Sequence, residues 1–147
     1  MPLQWTGDLD RIVQSAARDA ERMQVRLNTA LILRSMLKNP GPCREALSGL
    51  GLSLDICEAG LRELPLYRES VDAPQHVYER AERIAVCARS GEVSSIQVLL
   101  SMLEEPCMCR ELLLALNVDL NRMRLALYAC TMPFEVQSQY VQVRSSS

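Results

Sequence analysis

The 147-residue chain has the size of one compact domain of about 150 residues and leaves no room for a large catalytic module as well. Apolar residues make up 48% and charged residues 23%, which excludes disordered and fibrous classes, and scarce aromatics (4%) beside many Leu, Ala, Arg, Glu and Met favour helices. Sixteen basic against eighteen acidic side chains, with a pI near 5.5, give no electrostatic footprint for a polyphosphate backbone, so nucleic acid is not an expected partner.

At the start of the chain Asp8, Asp10 and Arg11 interrupt any apolar run, so no secretory signal is expected. No stretch approaches a membrane span either, and no membrane partner is expected. The six cysteines are too sparse for a disulfide-built domain, and reduced thiols in a cytoplasm are the simpler expectation. The first predicted helix carries Leu9, Ile12, Val13, Ala16, Ala17, Ala20 and Met23 at three- and four-residue steps, one apolar stripe with Asp10, Arg18 and Glu21 outside it. Asn28 or Thr29 caps a second helix through Ile32, Leu33, Met36 and Leu37, which the segment from Asn39 to Pro42 must end. A short third helix follows Pro42, carries Ala46, Leu47 and Leu50, and stops at Gly51. Ser53 caps a fourth, whose apolar side is Leu54, Cys57, Leu61 and Leu64.

Residues 65–74 form the predicted linker, bounded by Pro65 and Pro74 and containing Arg68, Glu69 and Asp72. Beyond it the pattern returns, with helices expected from about Gln75 to Arg89, Ser94 to Glu104, Cys107 to Leu116 and Asp119 to Cys130. Residues 35–57 and 101–123 align without a gap and share ten identities: Ser35/Ser101, Met36/Met102, Leu37/Leu103, Pro40/Pro106, Cys43/Cys109, Arg44/Arg110, Glu45/Glu111, Leu47/Leu113, Leu50/Leu116 and Leu54/Leu120. Chance would supply about one or two, so the chain is a duplication. The first helices of the two copies align poorly and leave their register open. The expected layout is one helical domain over 1–132, with repeat one at about 5–64 and repeat two at about 75–130. The tail 133–147, with Phe134, Val136, Tyr140, Val141 and Val143, reads as a frayed end or linker, or as an edge-strand docking segment.

A duplicated four-helix unit with T-x-x-hydrophobic-hydrophobic opening its second helix, followed by x-hydrophobic-L-x-x-L-G-hydrophobic-x-L, resembles the Clp N-terminal domain (Clp repeat). That domain is the substrate- and adaptor-binding head of Clp-type ATPases. The matching segments run from Thr29 to Leu37, Cys43 to Leu54, Ser95 to Leu103 and Cys109 to Leu120, within a resemblance covering about residues 5 to 130. Trp5-Thr6 stands where the family usually opens with Phe-Thr. The resemblance implies an all-α fold of two pseudo-symmetric four-helix repeats, eight helices in all. The family's frequent Thr-Glu-His is Thr29-Ala30-Leu31 and Ser95-Ile96-Gln97 here, so the phosphorylated-arginine binding that this glutamate supports in some members is not carried over. No G-x-x-x-x-G-K-[ST] occurs, and ATP hydrolysis is not expected of this chain.

No catalytic constellation emerges. A cysteine nucleophile needs a base, and the single histidine, His76, lies beside Pro74 at the linker. Cys43 and Cys109 hold equivalent repeat positions and read as small packing residues, while Cys107-Met108-Cys109 lacks the further ligands that zinc or copper requires. Glu104-Glu105 reads as solvated charge at a helix end. No cofactor or metal is therefore expected. The expected function is a non-enzymatic protein-interaction module that binds a partner helix or peptide in a groove between the repeats, with Trp5, Leu9, Ile12, Val13, Tyr67 and Tyr78 as candidate partner-binding residues. Two settings fit the residues. The chain is either the head of a larger Clp ATPase, such as the type VI secretion sheath-disassembly members, or a stand-alone adaptor or accessory subunit of a Clp protease or secretion system. Expected partners are accordingly an adaptor, a substrate, a Clp subunit or a secretion-sheath protein. A cysteine-based redox sensor or enzyme is the remaining class.

Overall fold

The computed structural model describes residues 3–63 and 74–131. Eight helices occur there, α1 (Gly7–Met23), α2 (Thr29–Lys38), α3 (Pro42–Gly49), α4 (Leu54–Glu63), α5 (Pro74–Cys87), α6 (Ser95–Glu104), α7 (Met108–Ala115) and α8 (Leu120–Thr131). The architecture is all-α in two four-helix repeats. Two two-residue strands join it, β1 (Gln4–Trp5) and β2 (Glu92–Val93), paired in parallel with Gln4 opposite Glu92 and Trp5 opposite Val93. Leu64, Tyr67, the predicted linker up to Ala73 and the predicted tail lie outside the described residues.

Local chemistry sets the helix ends. Thr6 caps α1 by accepting a hydrogen bond from Leu9 N at 3.2 Å, and Asp8 and Asp10 in the first turn suit the positive end of the helix dipole. Of the two predicted caps for α2 it is Asn28 whose Oδ1 accepts, from Leu31 N at 2.9 Å. Ser94 and Gln97 form a reciprocal capping box at α6. At the far end of α3, Gly51 (φ +86°) donates to Ser48 O and Leu52 to Leu47 O. Asn117 (φ +60°) and Val118 repeat this on Leu114 O and Leu113 O after α7. Glycine and asparagine are the two residues that enter the left-handed region most readily.

The structure fixes the register that sequence left open. Ser35 Oγ donates to Ile12 O at 2.6 Å and Ser101 Oγ to Val77 O at 2.7 Å, so Ile12 and Val77 are equivalent, one residue fewer apart than the two serines. Gln24 and Arg89, both at φ +56°, end α1 and α5 in the same manner. The extra residue of the second copy therefore falls between Arg89 and Ser94, where β2 forms.

The repeats share one core rather than packing as separate bodies. Helix α2 packs on α7, α3 on α6 and α8, and α4 on α7. The starts of equivalent helices meet across the pseudo-twofold: Cys109 N of α7 donates to Thr29 Oγ1 of α2 at 2.9 Å, and Cys43 of α3 lies beside Ser95 of α6. Gly60 lets α4 approach α7 so closely that a Cβ there would stand 2.7 Å from Leu112 Cδ1. Within α1 the predicted stripe is corrected at two places. Ala17 is exposed and Met23 is 46% exposed, because the contact with α2 follows Leu9, Ile12, Ala16 and Ala20 and has turned away by the last turn. Cys130, predicted on the apolar side of α8, is likewise exposed beyond Leu127.

Candidate functional site

Strand β1 carries the chain start across to the second repeat. Thr6 N donates to Val93 O at 3.0 Å, and Leu3 N to Glu82 Oε1 of α5 at 3.4 Å. This clasp sets Trp5 against Tyr78 of α5, ring centroids 5.1 Å apart and tilted by 55°, a favourable aromatic geometry. Both rings are half-buried and rest on the core, as does Val13 on the next turn of α1. Leu9 and Ile12 do not join this surface. At 0% and 1% exposure they face α2 and α6 inside the core and present no side chain to a partner. Of the sequence candidates, then, Trp5 and Tyr78 meet at the seam between the repeats, Val13 is half-buried against the core, and Tyr67 lies outside the described residues.

Two recesses occupy equivalent places, one in each repeat. The first, of about 390 Å³, is lined by Asp19, Arg22, Met23, Arg34, Glu58, Leu61 and Arg62. Its anchor is Asp19, only 6% exposed, whose carboxylate accepts from Arg22 at 2.7 Å and Arg34 at 2.7 Å and stands 3.5 Å from Lys38. Arg34 also donates twice to Glu58, at 3.2 and 3.0 Å, tying α1, α2 and α4 together. A buried carboxylate requires such partners, since it would otherwise lose its hydration without replacement. The second recess, of about 540 Å³, is lined by Arg80, Arg83, Ile84, Cys87, Ala88, Glu104 and Tyr128. Here Arg80 grips Glu104 at 2.9 and 2.6 Å and Glu105 at 3.0 Å, and Tyr128 Oη donates to Glu104 Oε1 at 3.2 Å. The Glu104-Glu105 pair is thus an ion-pair anchor between α5 and α6 and not merely solvated charge. Those two glutamates hold the Arg80 guanidinium above its ordinary pKa, Glu104 first, while burial and then Glu104 push the Tyr128 phenol up. A third, smaller hollow of about 280 Å³ lies on the pseudo-twofold, between Leu50, Leu52, Ile56, Leu116, Val118 and Met123.

The first recess is the feature that sequence reading passed over. Its one signal is a carboxylate on the apolar line, since Asp19 continues the steps Ile12, Ala16 and then Met23. Elsewhere, burial pushes the Cys43 thiol up to about 12, partly offset by the adjacent Ser95 hydroxyl, and burial pushes Cys57 up to about 11, partly offset by Arg34. Cys107 Sγ donates to Met102 O at 3.2 Å. His76 lies exposed in the first turn of α5, not in a linker. Among the described residues no group of three or more His, Cys, Asp or Glu side chains could hold a metal ion, and no helix is long and apolar enough to cross a membrane.

No protein-family model matches the chain, and no curated protein matches it in sequence. Solved structures do match. The crystal structure of the N-terminal domain of the caseinolytic protease associated chaperone ClpD from Arabidopsis thaliana superposes with a TM-score of 0.72 at 13% identity, covering 88% of this chain and 98% of that one. The chain therefore has a Clp N-domain-like fold.

Proposed function

We propose that this Clp N-domain-like chain is a non-catalytic protein-interaction module, which docks a partner helix or extended segment on the seam where Trp5 meets Tyr78, with Val13 as a further docking residue. The observation that carries the reading is the aromatic pair itself. Trp5 and Tyr78 come from different repeats, are brought together by the β1–β2 clasp, and stay half-exposed. Large rings held in place by their surroundings lose little freedom on binding and supply much contact area, which is why Trp and Tyr recur as anchors at interfaces. The fold supports the module reading further, because the similar ClpD domain is the N-terminal part of a protease-associated chaperone. The partner is then an adaptor, a substrate, a Clp subunit or a secretion-sheath protein, with the chain acting as an ATPase head or as a free-standing adaptor in the cytoplasm.

The test is affinity capture from lysate of the source cell, with wild-type bait beside Trp5→Ala/Tyr78→Ala and Val13→Glu baits of matched thermal stability, followed by mass spectrometry. Clp or sheath proteins held by the wild type and lost from both variants are the expected result. Identical capture by all three baits overturns the seam as the docking surface.

A further inference from the structure

We propose that the first-repeat recess binds a short acidic segment of a protein partner, one apolar side chain flanked by carboxylates. The inference rests on the interaction-module reading but uses residues distinct from the aromatic seam.

Charge bookkeeping at the recess leaves cations in excess. Asp19 and Glu58 face four basic groups, Arg22, Arg34, Lys38 and Arg62. Arg34 alone links both acids and closes the buried network. Arg22 reaches Asp19 from outside with its side chain 71% exposed, so most of its guanidinium donors face solvent. Arg62, on the exposed side of α4, has no ion-pair partner among the described residues. Between these two guanidinium groups the floor is apolar, formed by Met23, which the core leaves 46% exposed, and Leu61. A basic rim around a thioether and a leucine complements a carboxylate beside an aliphatic or aromatic side chain, and arginine forks suit carboxylates geometrically.

The duplication supplies an internal control. At the equivalent recess Ile84 stands for Asp19, Cys87 for Arg22, Leu100 for Arg34 and Tyr128 for Arg62, while Glu104 replaces Lys38 and Arg124 replaces Glu58. The same helix packing is achieved there without a buried carboxylate and without an arginine at the places of Arg22 and Arg62, the arginines of that recess, Arg80 and Arg83, standing instead on α5. The packing of these helices therefore does not require arginines at the places of Arg22 and Arg62.

The test is a 15N NMR titration of the intact chain with the capped peptide Gly-Ser-Glu-Leu-Glu-Glu-Ser-Gly, against one peptide with Gln for every Glu and another with Ser for Leu. Saturable shifts centred on Arg22, Met23, Leu61 and Arg62 are expected. They should weaken with rising salt, and by about tenfold or more in Arg62→Glu, which breaks no ion pair among the described residues. Arg22→Gln should act in the same direction, and Trp5→Ala/Tyr78→Ala should leave the titration unchanged, so failure of the seam and failure of the recess are separate results. Equal binding of the Gln peptide, indifference to Arg62→Glu, or shifts elsewhere overturn the proposal. So does inorganic phosphate reproducing the same shifts and displacing the peptide, which would make the recess a general anion site.

Discussion

Single residues divide this protein between groups sealed in the core and groups left to act. The cysteines show the division most directly. Cys43, Cys57, Cys107 and Cys109 are buried, whereas Cys87 and Cys130 are exposed. A thiol must ionise to react, and burial disfavours the thiolate, which is why Cys43 and Cys57 sit at about 12 and 11 against an ordinary 9.0. Iodoacetamide at neutral pH, read by peptide mass spectrometry, is expected to modify Cys87 and Cys130 in the native chain and the buried four only after denaturation. The same shifts fix a pH dependence. Below about pH 9 both states keep these thiols protonated and nothing is lost. Between about 9 and 12 the unfolded chain releases protons that the folded chain retains, so stability falls as pH rises. Urea midpoints at pH 8 and pH 10.5 should show that decline, and Cys43→Ala should reduce its slope.

Among the elements, the helices were legible in the sequence because their limits are written in a few neighbouring residues. Asn28, Ser53, Ser94 and Asp119 mark starts, and Gly51 and Asn117 mark stops. The left-handed turn after α3 gives this a measurable form. Gly51→Ala forces a Cβ into φ +86° and is expected to cost about 1 kcal/mol, whereas Asn117→Gly relaxes the matching turn and should be neutral or mildly stabilising, both checked by thermal melts. What was illegible is what distant residues decide together. The β1–β2 pair spans only two residues on each side and joins positions separated by most of the chain, so no local pattern announces it. Leu9 and Ile12 had the right spacing for an exposed groove or for a core, and only the packing of α1 on α2 and α6 chooses the core. The Asp19 network draws on three helices, and Arg80 meets Glu104 and Glu105 through the α5–α6 contact. Helical periodicity registers neither.

For the whole molecule, the duplication produced two units that share one core. Each repeat of about 60 residues is near the size at which a domain becomes marginal, and much of its apolar surface is covered by helices of the other copy. Residues 1–63 and 74–147, prepared separately, are each expected to lack a cooperative thermal transition by circular dichroism, and a mixture of the two should regain one. A cooperative melt of either fragment alone would mean the shared core matters less than its contacts imply. The route of the chain start adds a mechanical consequence. Because residues 3–6 are bonded to α5 and to Val93 before the backbone enters α1, a force applied at the N terminus loads the second repeat first. The two-rung ladder and the tilted pair of rings would peel away before any helix of the first repeat felt the pull, and resistance along that direction is set by a handful of bonds at the junction rather than by the bulk of the core.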